Sequence, residues 1–371
     1  MSAPSIDALP RVEVASRLGR LRSGLETAGV DALLVTRLPN VRYLTGFTGS
    51  AGAVLVGCDA TWLVTDGRYA EQSHDQVGAA AVEASIEIAP TQADQRRVLT
   101  AAIASYGRIG LEAHGVTWAQ QRSYAEWFVD AELVPTEHIV EGLRAVKEPG
   151  EVARIHAACA IADAALADVV PKLHEGISER AFALALELAM RERGASGTSF
   201  DTIVASGPNG SKPHARPTNR IVEPHELVVI DFGCIVDGYC SDMTRTVSAG
   251  EPSADAQRVW DVVAASQRAG RDAVRAGVAC RDVDAASRAI IDDAGWGAAF
   301  AHGTGHGVGL EIHEAPRVAA TADGTLVPGN VVTVEPGVYL PGIGGVRIED
   351  TVVVTDAGAD ALTAFPKQLV I

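Results

Sequence analysis

The sequence predicts an α/β protein of two domains, and three observations carry that prediction. The chain has 371 residues, 47% of them hydrophobic, which is long for one average domain and enough for two cores. Up to about residue 140, short apolar runs alternate with stretches of helical period, as when strands interleave with helices. A Pro149-Gly150 breaker is then followed by two long helical patterns, and from Phe200 by strands and glycine loops. We therefore expect an N-terminal α/β domain over residues 1–141, a linker over 142–150, and an α+β domain over 151–371.

Taken in order, Val14, Leu18, Leu21 and Leu25 recur at helical spacing, and Gly29 ends that helix. Residues 32–36 read as a buried strand, and residues 40–47 as a loop with a short helix. Residues 53–56 and 61–65 form a strand pair around a Cys58-Asp59 turn. Asp66 opens another helix, and residues 86–89 and 108–112 are further strands with helices between them. In the second half, helices are expected at 150–170 and 178–193, the latter with Ser178 as N-cap and Glu179 in its first turn. Two more follow at 260–276 and 282–294. No internal repeat or low-complexity tract is evident.

Composition excludes several classes of function. No apolar run reaches the ~18–20 residues that span a bilayer, and residues 1–7 lack the basic and apolar segments of a secretion signal. The five cysteines form no C-x-x-C pair and suit reduced thiols in a cytoplasm. A formal charge of −16 without a basic stripe argues against nucleic acid and anionic membranes as partners.

Residues 302–349 hold the densest chemistry. His302, His306 and His313 stand among Gly303, Gly305, Gly307 and Gly309. That much glycine disfavours a helix and fits an extended segment that a ligand or backbone can approach closely. Upstream, Asp237-Gly238 is a hairpin signal. If those two residues are the turn, Asp231 faces Thr244 and Asp242 faces Gly233, which puts both aspartates on one sheet face. Asp231 interrupts the run Val228-Val229-Ile230 and Phe232, where a charge is costly unless paired or bound to metal. A second hairpin centred near Gly342 sets Glu335 opposite Glu349, two like charges that need a cation between them. Two such pairs plus one imidazole supply enough negative charge for two divalent ions, which at ~3.5–4 Å spacing share carboxylates and activate water. Cys234 and Cys240 read as core residues, and the glycine run lacks the Lys-Ser/Thr of a phosphate loop.

These residues resemble the pita-bread metallopeptidases, the family of methionine aminopeptidase, aminopeptidase P and prolidase. The likeness spans residues ~150–371, and residues 1–140 resemble the creatinase-type N-terminal domain. It implies Asp231, Asp242, His306, Glu335 and Glu349 as ligands of two divalent ions, Mn²⁺ first with Co²⁺ or Zn²⁺ as alternatives, Asp242 and Glu349 bridging. The segment Pro213-His214-Ala215-Arg216-Pro217 looks like the histidine loop of the proline-specific branch. His302 and His313 match its other histidines, and Arg347 matches an arginine near the substrate. The resemblance implies hydrolysis of an Xaa-Pro bond in di- or short peptides, a cytoplasmic homodimer, and Glu335 as the group that takes the water's proton. Arg347 is expected to support a ligand carboxylate, to meet the substrate's C-terminus, or to pair with Glu349 or Asp350. The competing readings are a non-catalytic pita-bread peptide-binding module and a metallohydrolase of another small amide.

Overall fold

The computed structural model describes residues 8–371; the segment read for a secretion signal lies outside the described residues. Contacts divide the chain into two compact units, Val12–Arg144, and residues 8–11 together with Ala145–Ile371.

The first unit contains strands β1 (Ala32–Val35), β2 (Gly52–Gly57), β3 (Thr61–Thr65), β4 (Ser85–Ile88), β5 (Arg108–Glu112) and β6 (Glu132–Thr136). They form one mixed sheet in the order β4-β3-β2-β1-β5-β6. Helices α1 (Ala15–Thr27), α2 (Leu38–Thr45), α3 (Ala70–Ala79), α4 (Gln92–Ala102), α5 (Trp118–Trp127) and α6 (Ile139–Arg144) connect or cover it. Leu18, Leu21 and Leu25 are the buried stripe of α1, each worth about 1.5–3 kcal/mol over an exposed side chain. Asp66 accepts from the Arg68 N–H at 2.9 Å, but first caps a single 3₁₀ turn; α3 begins only at Ala70.

Within the expected linker over 142–150, only residues 145–148 lie outside helices. Residues 142–144 end α6, and Pro149 is the first residue of α7 (Pro149–Val169), where its missing N–H costs nothing. Glu148 and Glu151 close that end as a capping box. Helix α8 (Glu179–Glu192) starts as expected, with Ser178 Oγ accepting from the Ala181 N–H at 3.2 Å.

The second unit then runs β7 (Gly197–Thr198), β8 (Ile203–Ser206), β9 (Val228–Phe232), β10 (Cys234–Val236), β11 (Tyr239–Cys240) and β12 (Met243–Val247). Helices α9 (Ala254–Ala273) and α10 (Cys280–Asp293) follow. Helix α9 begins six residues before the expected 260, because Ser253 caps it through the Ala256 N–H. The remaining strands are β13 (Gly305–Gly307), β14 (Glu314–Val318), β15 (Val331–Val334), β16 (Gly337–Leu340), β17 (Gly344–Arg347), β18 (Asp350–Val354) and β19 (Ala359–Ala361).

Thus two helices followed by an acid-bearing hairpin occur twice in this unit. Ile161 and Leu166 of α7 and Phe182 and Leu186 of α8 pack on Val204, Val228, Ile230 and Phe232. Val259 and Val263 of α9 pack on Val338, Val346 and Ile348, while Val283 of α10 meets Val332, Val334 and Val352. Because strand side chains alternate, residues between these core positions point to the opposite face.

Candidate metal centre

The first hairpin turns at Asp237 and Gly238, both with positive φ (44° and 73°), the backbone an Asp-Gly turn supplies. Its register places Asp231 opposite Thr244 and Phe232 opposite Met243, as the sequence predicts. Asp242 differs: it sits in the break between β11 and β12, and its register partner Gly233 in the break between β9 and β10. A Cβ at Gly233 would fall 1.9 Å from the Ser241 carbonyl oxygen, so glycine permits the pinch where the pair changes sheet. Thr351 Oγ1 donates to the Asp242 carbonyl at 2.8 Å and fixes that backbone.

The second hairpin keeps one register on both sides of its glutamates, Val334 opposite Asp350 and Gly337 opposite Arg347. Glu335 and Glu349 fall at the interruption between these ladders. Their N–H groups turn to other segments, Glu335 to the Thr304 carbonyl at 2.7 Å and Glu349 to the Thr244 carbonyl at 3.1 Å. Thr244 Oγ1 donates to Glu349 Oε2 at 2.8 Å, and Thr333 Oγ1 donates to Glu335 Oε1 at 3.2 Å.

Strand β13 is extended, as the glycines require, and what approaches is backbone. A Cβ at Gly305 would lie 2.0 Å from the Thr333 carbonyl oxygen, and one at Gly307 2.2 Å from that of Ala315. His306 therefore enters between two neighbouring strands. With its Nδ1 bound to the Gly307 carbonyl at 3.0 Å, Nε2 faces Glu335 Oε1 at 3.3 Å and Asp242 Oδ2 at 3.6 Å. A backbone carbonyl on one ring nitrogen is the usual support of a metal-ligating histidine.

Arg347 is 3% exposed. It donates to Asp231 Oδ2, to the Tyr339 hydroxyl at 2.6 Å, to Thr244 Oγ1 at 3.0 Å and to the Pro213 carbonyl at 3.3 Å. Of the expected roles, this geometry matches support of a ligand carboxylate; the ion-pair partner is Asp231, whereas Asp350 pairs with Arg245 and Lys367. His302 bonds the Gly303 carbonyl through Nδ1 at 2.8 Å and the Tyr339 hydroxyl through Nε2 at 3.0 Å. The rings of His306 and His313 meet edge to face at 4.4 Å.

All the sequence-predicted site residues line one cleft of about 660 Å³, including His214, His302 and His313. Ligand atoms of Asp242, His306 and Glu349 lie within 4.8 Å of one another. Burial, then the charges of Glu349, Asp231 and Glu335, push the Asp242 carboxyl well above the ordinary carboxylate range. Burial and the charges of Glu335 and Asp231 do the same to Glu349. Asp231 is also raised by burial, against the pull of Arg347. Burial acts on Glu335 too, but the His306 hydrogen bond and the His306, His302 and Arg347 charges bring it to about 2. Two carboxylate oxygens, Asp231 Oδ1 and Glu349 Oε1, are buried with no hydrogen-bond partner among the described residues. Crowded, partly orphaned oxygens beside an imidazole nitrogen fit hard or borderline divalent cations.

Tyr339, Thr244 and Thr333 were not anticipated. Period two along residues 335–339 places Tyr339 on the face of Glu335, so the hairpin register carried a signal for it. Gly337 leaves the room, since a Cβ there would meet the Tyr339 hydroxyl at 2.6 Å. The same logic reaches the threonines: Thr333 stands two residues before Glu335, and Thr244 is opposite Asp231 in the predicted register.

The fold and this carboxylate-histidine centre are those of a metallopeptidase. The profile of metallopeptidase family M24 matches residues 153–356, and that of the creatinase/prolidase N-terminal domain matches residues 17–146. The chain belongs to metallopeptidase family M24, with the creatinase-type N-terminal domain preceding the pita-bread domain. It is 41% identical over 358 residues to the uncharacterized peptidase YqhT of Bacillus subtilis (strain 168), covering 96% of this chain and 99% of that one. It is similar in structure to an Xaa-Pro dipeptidase from Bacillus anthracis, with TM-score 0.92 and 39% identity over 96% of this chain and 99% of the other. An X-Pro aminopeptidase from Thermotoga maritima MSB8 gives TM-score 0.85 and 34% identity over 94% and 99%.

Proposed function

We propose that this chain hydrolyses the bond between an N-terminal residue and proline in di- or short peptides. The observation that carries the reading is the convergence of Asp231, Asp242, His306, Glu335 and Glu349 in one cleft, with two buried carboxylate oxygens left unpartnered among the described residues. These five residues would hold two divalent ions, Mn²⁺ for preference. When bound, such a pair supplies a nucleophile from water near neutral pH and polarises a carbonyl. The proline requirement is supported by the similar Xaa-Pro dipeptidase and X-Pro aminopeptidase structures.

The protein's own groups then have distinct roles. Glu335 is the acceptor for the water proton and its donor to the leaving proline nitrogen. His214 and His313 have no protein hydrogen-bond partner among the described residues and face the cleft. They are free to donate to the substrate carbonyl oxygen as it gains charge. His302, locked by Gly303 and Tyr339 and edge-on to Phe300 at 5.1 Å, shapes the proline pocket. Arg347 holds Asp231 in place. A cytoplasmic homodimer, as the resemblance implies, completes the proposal; all five cysteines are free thiols.

The test is turnover of Gly-Pro, Gly-Pro-Pro and Gly-Ala by Mn²⁺-reconstituted protein. Cleavage confined to the proline peptides is expected, and the ratio of the first two assigns dipeptidase or aminopeptidase specificity. Equal cleavage of Gly-Ala would remove the proline reading. Asp242→Ala should lose both metal and turnover; full activity after that substitution would remove the metal assignment.

A further inference from the structure

The segment that brings His214 to the cleft runs from Ser206, the last residue of β8, to Thr218. Both of its ends converge on one side chain remote from the ligand set. Glu179, the first residue of α8, is fully buried. Its Oε1 accepts from the Ser206 N–H and hydroxyl, each at 2.8 Å. Its Oε2 accepts from the Thr218 N–H at 2.9 Å and hydroxyl at 2.6 Å. The Asn209 amide donates to both oxygens at 3.1 Å. The helix backbone adds to this grip, the Arg180 N–H donating to the Thr218 carbonyl and the Glu179 N–H to that of Arg220, both at 3.0 Å.

The middle of the segment lies on the hairpin that carries Arg347. A Cβ at Gly345 would stand 1.9 Å from the Gly210 carbonyl oxygen, and one at Gly344 3.1 Å from that of Gly207. Loop and hairpin thus meet backbone to backbone, and Arg347 Nη1 reaches the Pro213 carbonyl, one residue before His214.

Burying a carboxylate is expensive, and an apolar residue would join α8 to the sheet at lower cost. What a carboxylate alone provides is two acceptor-only oxygens, each able to take several donors. Here those donors are the two ends of the histidine loop.

We propose that Glu179 is a positioning residue: it clamps both ends of the 206–218 loop and so holds His214 at its place in the cleft, touching neither substrate nor metal. The inference rests on the role given to His214 above. Glutamine at this position would turn an NH₂ group toward the Ser206 or Thr218 N–H, donor against donor, and release one end.

The test combines hydrogen–deuterium exchange with steady-state kinetics on metal-reconstituted Glu179→Gln, His214→Ala and the double variant. Glu179→Gln should raise exchange within residues 207–217, keep the wild-type metal content, and lower kcat on an Xaa-Pro substrate by about tenfold or more, with KM near wild type. In the His214→Ala background it should lower kcat no further. Thr218→Val, which removes one donor hydroxyl, should shift both readouts in the same direction by less, and it carries the test if Glu179→Gln fails to fold. Unchanged exchange, or a loss that multiplies with that of His214→Ala, overturns the proposal. If the wild-type chain cleaves no Xaa-Pro peptide, the peptidase reading fails by itself, and exchange alone decides whether Glu179 clamps the loop.

Discussion

Arg347 shows how one side chain ties the centre together. It reaches Asp231, Tyr339 and, through Thr244, the carboxylate of Glu349. Removing it leaves Asp231 buried without its cation. In metal-free protein, Arg347→Ala should therefore cost about 3–5 kcal/mol of stability by urea unfolding. A loss below about 1 kcal/mol would mean that Asp231 finds another partner. Glu179 titrates in the opposite sense from Asp242. Burial raises its pKa, but hydrogen bonds from Thr218 and Ser206 prevail and hold it below the usual range. A depressed carboxyl stabilises the fold above its unfolded pKa, about 4.3, and that contribution is lost as pH falls through the folded value. The stability deficit of Glu179→Gln should accordingly be full at pH 6–7 and shrink below about pH 4. A deficit independent of pH would assign it to packing instead.

At the scale of elements, both hairpins break their ladders where the acidic residues stand. Asp242, Glu335 and Glu349 all lie between strands. Register was legible from the Asp237-Gly238 turn and from the glycines near 342, since turn position fixes pairing. The interruption was not legible, for it depends on Thr304 and Thr244 offering carbonyls from distant segments. Glycine carries similar weight in β13. Gly305→Ala would push a methyl against the Thr333 carbonyl and displace His306. We expect about 1–3 kcal/mol of destabilisation and weaker metal binding by calorimetric titration. Unaltered metal affinity would show that β13 can shift without moving the imidazole.

For the whole molecule, metal and fold should be coupled. The proposed ligands come from β9, the β11–β12 break, β13, and the β15–β16 and β17–β18 breaks, which approach one another only when the chain is folded. Ions that bind the native state alone stabilise it by mass action, about 2.7 kcal/mol at a hundredfold excess over Kd. Chelation should lower Tm, and Mn²⁺ should restore it; a Tm indifferent to both would contradict the proposed site.

Periodicity and turn chemistry in the sequence by themselves determined the long helices of the second half, the first strands of the N-terminal unit, the two hairpin registers and the acidic and histidine residues that stand out from apolar surroundings. These are local properties, written in spacings of a few residues. The unit boundary at Arg144, the place of Pro149 as the opening residue of α7, and the clamp at Glu179 were decided only by tertiary structure. Each depends on which remote backbone or side chain arrives within hydrogen-bond reach, and no spacing along the chain encodes that distance.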